Sequence, residues 1–203
     1  LVADAAAADA FSAAVSEAAA IALDCEWRPD GPGEDHAVAL AQVATRDAVW
    51  LVDFVQLSGP ARITALEALT NALQSQSTSV VAFSINADVT KLKMQATRVV
   101  DLATSTDGLA AAVRRWLPAY RLDKAQQRSD WALRPLTPAQ VAYAAADAAV
   151  LLPLWEAMRA AGAAPSERDV APAPRTSTDS DAAAPDDDGA IAVARAVVAR
   201  TPG

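Results

Sequence analysis

A single cysteine, Cys25, and a single histidine, His36, stand in 203 residues. One thiol cannot close an internal disulfide, which excludes a disulfide-dense secreted scaffold. One imidazole cannot make a histidine-rich zinc site. Lysine occurs only three times, aromatic residues make up 5%, and seven glycines with twelve prolines leave no collagen-like pattern. With 53% apolar residues the chain is too hydrophobic to be wholly disordered. Long uncharged apolar runs are missing too. The best candidate, Ala139 to Trp155, carries Gln140 and Asp147 in its interior, so no membrane span and no membrane partner are expected. The chain opens at Leu1 rather than Met, which leaves room for an upstream segment and keeps the compartment open.

What is present suffices for one sizeable core, since a domain of roughly 150 residues buries about two thirds of its unfolded surface without disulfides or metals. The net charge of −8 hides an asymmetry. Residues 1 to 88 hold 12 acidic against 3 basic side chains, whereas residues 89 to 134 hold nine basic against four acidic. That second stretch is either a set of solvated helix faces or a flank that meets phosphates beside an acidic centre.

Hydrophobic spacing predicts a helix over residues 4 to 20, with Phe11 and Val15 on its apolar face. Three β-rich runs follow, at Ile21 to Trp27, Ala37 to Thr45 and Ala48 to Val55, and read as a meander. A helix begins at Ser58-Gly59-Pro60 and aligns Ile63, Leu66, Leu69 and Leu73 on one face. A buried-type strand at Ser79 to Ser84, a helix from about Ala87, a strand at Val99 to Ala103 and a helix at Asp107 to Leu117 come next. A last helix spans Pro138 to about Ala161. Thr137 is its N-cap, Gln140 completes a capping box, Gly162 suits the C-terminal cap, and Pro153 should kink it. The order predicts an α/β fold, a mixed five-stranded sheet flanked by helices, over residues 1–162. From 163 to 203 Ala, Pro, Ser, Thr and Asp dominate, and a disordered tail is expected, with Asp186-Asp187-Asp188 as a possible contact for a protein partner.

Four carboxylates and a tyrosine carry the chemistry. Asp24 and Glu26 lie at i and i+2 on the first strand, so both project from one face. Two acids there repel each other and lose hydration, a cost that a divalent cation offsets or that an exposed strand end avoids. Asp88 starts the helix after the buried strand, a place also favoured by the helix dipole alone. Tyr143 and Asp147 stand one turn apart on the last helix, which by itself could be an incidental contact.

Taken together, Asp24-Cys25-Glu26-Trp27, Val81-Ala82-Phe83-Ser84 leading to Asp88 and Leu92, and Tyr143-Ala144-Ala145-Ala146-Asp147 resemble the three exonuclease motifs of the DEDD superfamily. The tyrosine four residues before the final Asp is the mark of its DEDDy branch, and Ala142 stands where the DEDDh branch needs histidine. The lead-in Lys124-x-x-Gln127-x-Ser129-x-Trp131-x-x-Arg134-Pro135-Leu136 is similar to that of the ribonuclease D, Werner-exonuclease and Mut-7-like group. The resemblance covers roughly residues 10 to 160.

It implies a ribonuclease H-like fold and removal of nucleotides from a 3′ end of DNA or RNA by two divalent cations, Mg²⁺ or Mn²⁺. By the same resemblance Asp24 bridges both ions, Glu26 and Asp147 bind the first, Asp88 holds the second, and Tyr143 orients the attacking water. Lys124, Arg128, Trp131 and Arg134 become candidate nucleic-acid contacts; the other reading of Trp131 and Arg134 is packing of the basic stretch against the last helix. A catalytically silent nucleic-acid-binding or scaffolding domain of the same fold is the alternative, although all five motif residues are present.

Overall fold

The computed structural model describes residues 1–173. Its sheet is organised around β1 (Ala20–Glu26), whose alternation assigns each face a task. Ile21, Leu23 and Cys25 point to one side and enter the core beneath α1 (Ala5–Ser16) and α2 (Gly59–Leu73). Ala22 points to the other, and Asp24 and Glu26 follow it in phase. The apolar half of the strand therefore anchors it while the acidic half faces a different layer.

β2 (Leu40–Ala44) pairs antiparallel with β1 and sets Gln42 opposite Asp24; β3 (Val49–Asp53) continues antiparallel. On the far side β4 (Ser79–Ala82) and β5 (Ala96–Asp101) run parallel to β1, and β6 (Arg168–Val170) closes the edge antiparallel to β5. The order is β3-β2-β1-β4-β5-β6. The sheet thus has six strands where five are expected from the sequence. Arg168-Asp169-Val170 offers a single apolar side chain, and it is recruited by ionic partners: Arg168 to Asp101 at 3.0 Å and the adjoining Glu167 to Arg98 at 3.1 Å. Residues of the segment read as tail therefore belong to the sheet. The Asp186-Asp187-Asp188 run and the expected disorder beyond 173 lie outside the described residues.

Between β4 and α3 (Asn86–Leu92) the chain turns through Ser84, whose φ of 64° lies in the left-handed region and whose amide donates to Asp101 Oδ1 at 2.7 Å. That turn brings Asp88, in the first turn of α3, back over the end of β1. α4 (Leu109–Trp116) and the helices α5 (Pro138–Ala149) and α6 (Leu151–Ala160) cover the acidic-face side of the sheet.

The capping box at Thr137 and Gln140 forms as expected, and Gly162 ends α6 with φ 68°. The break differs. It falls at Val150 rather than at Pro153, because a proline ring collides with the carbonyl four residues earlier, here Ala149, the last residue of α5. By length and composition Pro138–Ala160 would suffice to cross a membrane, yet here it is two helices packed on the sheet through Ala148, Leu151, Leu154 and Met158. Ile63, expected on the buried face of α2, is exposed; Ala65, Ala68, Leu69, Ala72 and Leu73 make that face instead.

Candidate active site

The C-terminal end of β1, the first turn of α3 and the middle of α5 converge on one cleft of about 580 Å³, lined by Asp24, Glu26, Asp88, Tyr143 and Asp147. Asp24, Glu26 and Asp147 each offer a carboxylate oxygen within 4.8 Å of the others. Asp88 lines the same cleft outside that tight set. Cys25, between the two acids of β1, points to the opposite core and is buried.

Burial and mutual crowding shift the protonation of these acids. Burial, then the neighbouring Asp147, raises Asp24 to about 7, with Lys124 opposing. Glu26 is pushed to about 9 by burial and by Asp24 and Asp147. Asp88 rises to about 8, again through burial first and Asp24 second. The Tyr143 hydroxyl is held far from ionisation by burial and by the adjacent Asp147 and Glu26 carboxylates. The four carboxylates of this cluster outnumber the two basic side chains that line the cleft, Lys124 and Arg128. The donor set consists of hard oxygens, and Asp147 Oδ1 is buried with no hydrogen-bond partner among the described residues. Both features fit a divalent cation of the Mg²⁺ or Mn²⁺ type.

The basic segment contributes unevenly. Lys124 enters the cleft and donates from Nζ to Asp147 Oδ2 at 2.6 Å. Arg128 lines the cleft with an exposed side chain. Trp131 and Arg134 are placed elsewhere. Trp131 is fully buried, its ring 5.8 Å from that of Tyr143, and so cannot stack on a base. Arg134 donates from Nε and Nη2 to the two oxygens of the fully buried Asp53 at 2.6 and 2.7 Å, from Nη1 to the carbonyl of Trp131 and from Nη2 to that of Ala39. These two residues clamp the lead-in segment to β3 and support Tyr143 from behind, the packing role rather than the channel wall. His36 pairs with Glu34 at 3.1 Å in a loop and lies off the cleft.

Two features escape sequence reasoning. The direct Lys124–Asp147 contact is one; the only signal was a lysine at the head of the lead-in motif. Gln42 is the other, completely buried opposite Asp24 with both side-chain polar atoms unpartnered among the described residues. Its signal was an amide placed in phase with Leu40 and Ala44 on an otherwise apolar strand.

A family profile described as 3′-5′ exonuclease matches residues 1–162. The chain belongs to this exonuclease family. The exonuclease domain is 30% identical over 172 residues to a human exonuclease mut-7 homolog, an alignment that covers 68% of this chain and 20% of that protein. It is 58% identical over 44 residues to ribonuclease D of Acidiphilium cryptum (strain JF-5), 22% of this chain and 11% of the relative. The chain thus spans about a tenth to a fifth of the length of these curated relatives. Among solved structures, the Aedes aegypti Nibbler EXO domain superposes with a TM-score of 0.68 at 24% identity, over 76% of this chain and 84% of that one. The fold is the ribonuclease H-like exonuclease fold, and the domain is of the DEDD type.

Proposed function

We propose that the chain is a metal-dependent 3′-5′ exonuclease of the DEDDy branch, in which Asp24, Glu26, Asp88 and Asp147 hold two divalent cations and Tyr143 positions the attacking water. The observation that carries this is the set of three carboxylate oxygens within 4.8 Å of one another at the floor of an open cleft. When bound, Mg²⁺ or Mn²⁺ supplies charge stabilisation at the phosphodiester and eases deprotonation of water.

The chain's own groups set the geometry. β1 fixes Asp24 and Glu26 two residues apart on one face, α3 swings Asp88 over them, and α5 brings Asp147 down from above. Tyr143, one turn before Asp147, keeps its proton and is therefore a donor that holds a water rather than a base that takes its proton. A ring packed against Trp131 has little freedom to stray from that position. Arg128 lines the cleft with an exposed side chain, which supports a role in meeting a backbone phosphate. Nucleic acid with a free 3′ end is the substrate class; the likeness to a ribonuclease D favours RNA.

The test incubates the purified chain with end-labelled single-stranded RNA, single-stranded DNA and duplexes, with Mg²⁺, Mn²⁺ or EDTA. Stepwise shortening from the 3′ end that needs the cation is expected. Asp24→Ala should lower the rate by roughly 10³-fold or more, the several kcal/mol that a cation's charge stabilisation provides. Undiminished hydrolysis in EDTA, or by Asp24→Ala in Mn²⁺, overturns the reading.

A further inference from the structure

Lysine is scarce in this chain, and the three copies differ in their surroundings. Lys91 is engaged by Asp30 and Asp35, and Lys93 is exposed at the end of α3. Lys124 alone among them lines the carboxylate cleft. Its Nζ lies 2.6 Å from Asp147 Oδ2 and 5.2 Å from the centroid of the Tyr143 ring. The lysine side chain is 28% exposed, whereas that of Asp147 is 3% exposed, so the ammonium can leave toward solvent and its acceptor cannot follow.

We infer that Lys124 is a built-in cation of the carboxylate cluster, contending with a divalent ion for Asp147 and thereby setting how tightly the site holds it. This rests on the cluster being the cation site proposed above. An ammonium is a single charge on a flexible stem with three donors and can neutralise one carboxylate at a time. A divalent ion takes several oxygens at 2.0–2.6 Å. On the same carboxylate the two are like charges only a few ångströms apart, and their repulsion is large in a partly dehydrated cleft. A divalent ion therefore binds against Lys124 or after Lys124 has moved. While it is bonded to Asp147 the ammonium also lies over the face of Tyr143, whose π electrons add to its hold on the site. Lys124 balances the charge of Asp147 where divalent ions are scarce and lowers the affinity of the site for them.

The test compares the full chain with Lys124→Met, which keeps an unbranched stem without charge, by titrating Mn²⁺ and following free Mn²⁺ by electron paramagnetic resonance. Mn²⁺ should bind Lys124→Met roughly tenfold more tightly than the unaltered chain, the scale of one charge-assisted hydrogen bond removed. The melting temperature in EDTA should fall. Lys124→Gln, which keeps a neutral donor and protects the fold, should also bind Mn²⁺ more tightly, and Lys124→Arg should restore the original affinity. Mere loss of structure weakens cation binding, so tightening cannot be mistaken for it. Unchanged or weaker Mn²⁺ binding by folded Lys124→Met and Lys124→Gln overturns the inference. Asp24→Ala separates the two levels: Mn²⁺ binding that survives this substitution defeats the cation-site reading itself, whereas binding lost in Asp24→Ala but not tightened in the lysine variants defeats the lysine's role alone.

Discussion

At the scale of single residues, the cleft holds protonatable groups whose values were shifted by place, not by type. Asp24, Glu26 and Asp88 rise to about 7, 9 and 8, all above the ordinary carboxylate range. A raised carboxyl binds a proton more tightly in the folded chain than in the unfolded one. The stability it contributes is full below its ordinary value and is lost as pH climbs through the folded value. Melting in EDTA should therefore drop between about pH 4 and pH 9, and saturating Mg²⁺ should offset the drop by replacing protons as the counter-charge. A melting temperature flat over that window in EDTA would show that these groups are already ionised. Tyr143→Phe keeps the ring beside Trp131 and removes only the hydroxyl, so the single-turnover rate should fall by up to about 10²-fold while Mn²⁺ affinity stays level. An unchanged single-turnover rate would make Tyr143 a packing residue. That Asp24 and Glu26 share a face and that Tyr143 and Asp147 stand one turn apart was legible in the sequence, because i, i+2 on a strand and one turn on a helix are local rules. The Lys124–Asp147 contact was not, because it joins residues from two elements whose meeting only the fold decides.

At the scale of elements, the segment between α4 and α5 has little regular structure and is fixed by buried ions. Arg134 bonds both oxygens of Asp53, which is itself fully buried at the end of β3 and also accepts from the amides of Val55 and Gln56 at 3.0 Å each. Removing one partner of such a pair leaves an uncompensated buried charge, at a cost of about 3–5 kcal/mol. Arg134→Ala should accordingly lower the melting temperature by roughly 10 °C or more. The double variant Arg134→Met, Asp53→Leu should recover much of that loss, and calorimetry on the three proteins checks both statements. A melting temperature for Arg134→Ala within a degree or two of the parent would return Arg134 to the substrate channel. Sequence reasoning located this segment but divided its residues between packing and binding, because a basic side chain in a loop looks the same whether it meets phosphate or a carboxylate 81 residues away. The helix ends were clearer. Thr137, Gln140 and Gly162 act through their own backbone neighbourhood, and all three do in the fold what their spacing foretold.

At the scale of the whole molecule, the charge asymmetry of the chain becomes an arrangement in space. The acidic first half supplies Asp24, Glu26 and Asp88 to the floor of the cleft, and the basic stretch supplies Lys124 and Arg128 to its wall. A phosphate would approach along the second and meet the first only where cations balance it. The same scale decides what β6 does. It covers the outer edge of β5, and its continuation reaches Thr90 of α3, where the Ala173 amide donates to the hydroxyl at 3.1 Å, two residues from Asp88. We propose that residues 1–162 are the catalytic unit and that β6 is a brace on it. Ending the chain at 162 uncovers the β5 edge and removes the Glu167–Arg98 and Arg168–Asp101 pairs, whose members are partly exposed and so contribute modestly each. Compared with a chain ending at 173, the shorter one should melt lower by roughly 3–10 °C, corresponding to about 1–3 kcal/mol, and should retain its hydrolysis rate within a few fold well below that temperature. Equal melting temperatures would mean that β6 adds nothing to stability. Loss of hydrolysis in a folded 1–162 chain would show that the brace holds α3, and with it Asp88, in place, and that the catalytic unit extends through residue 173.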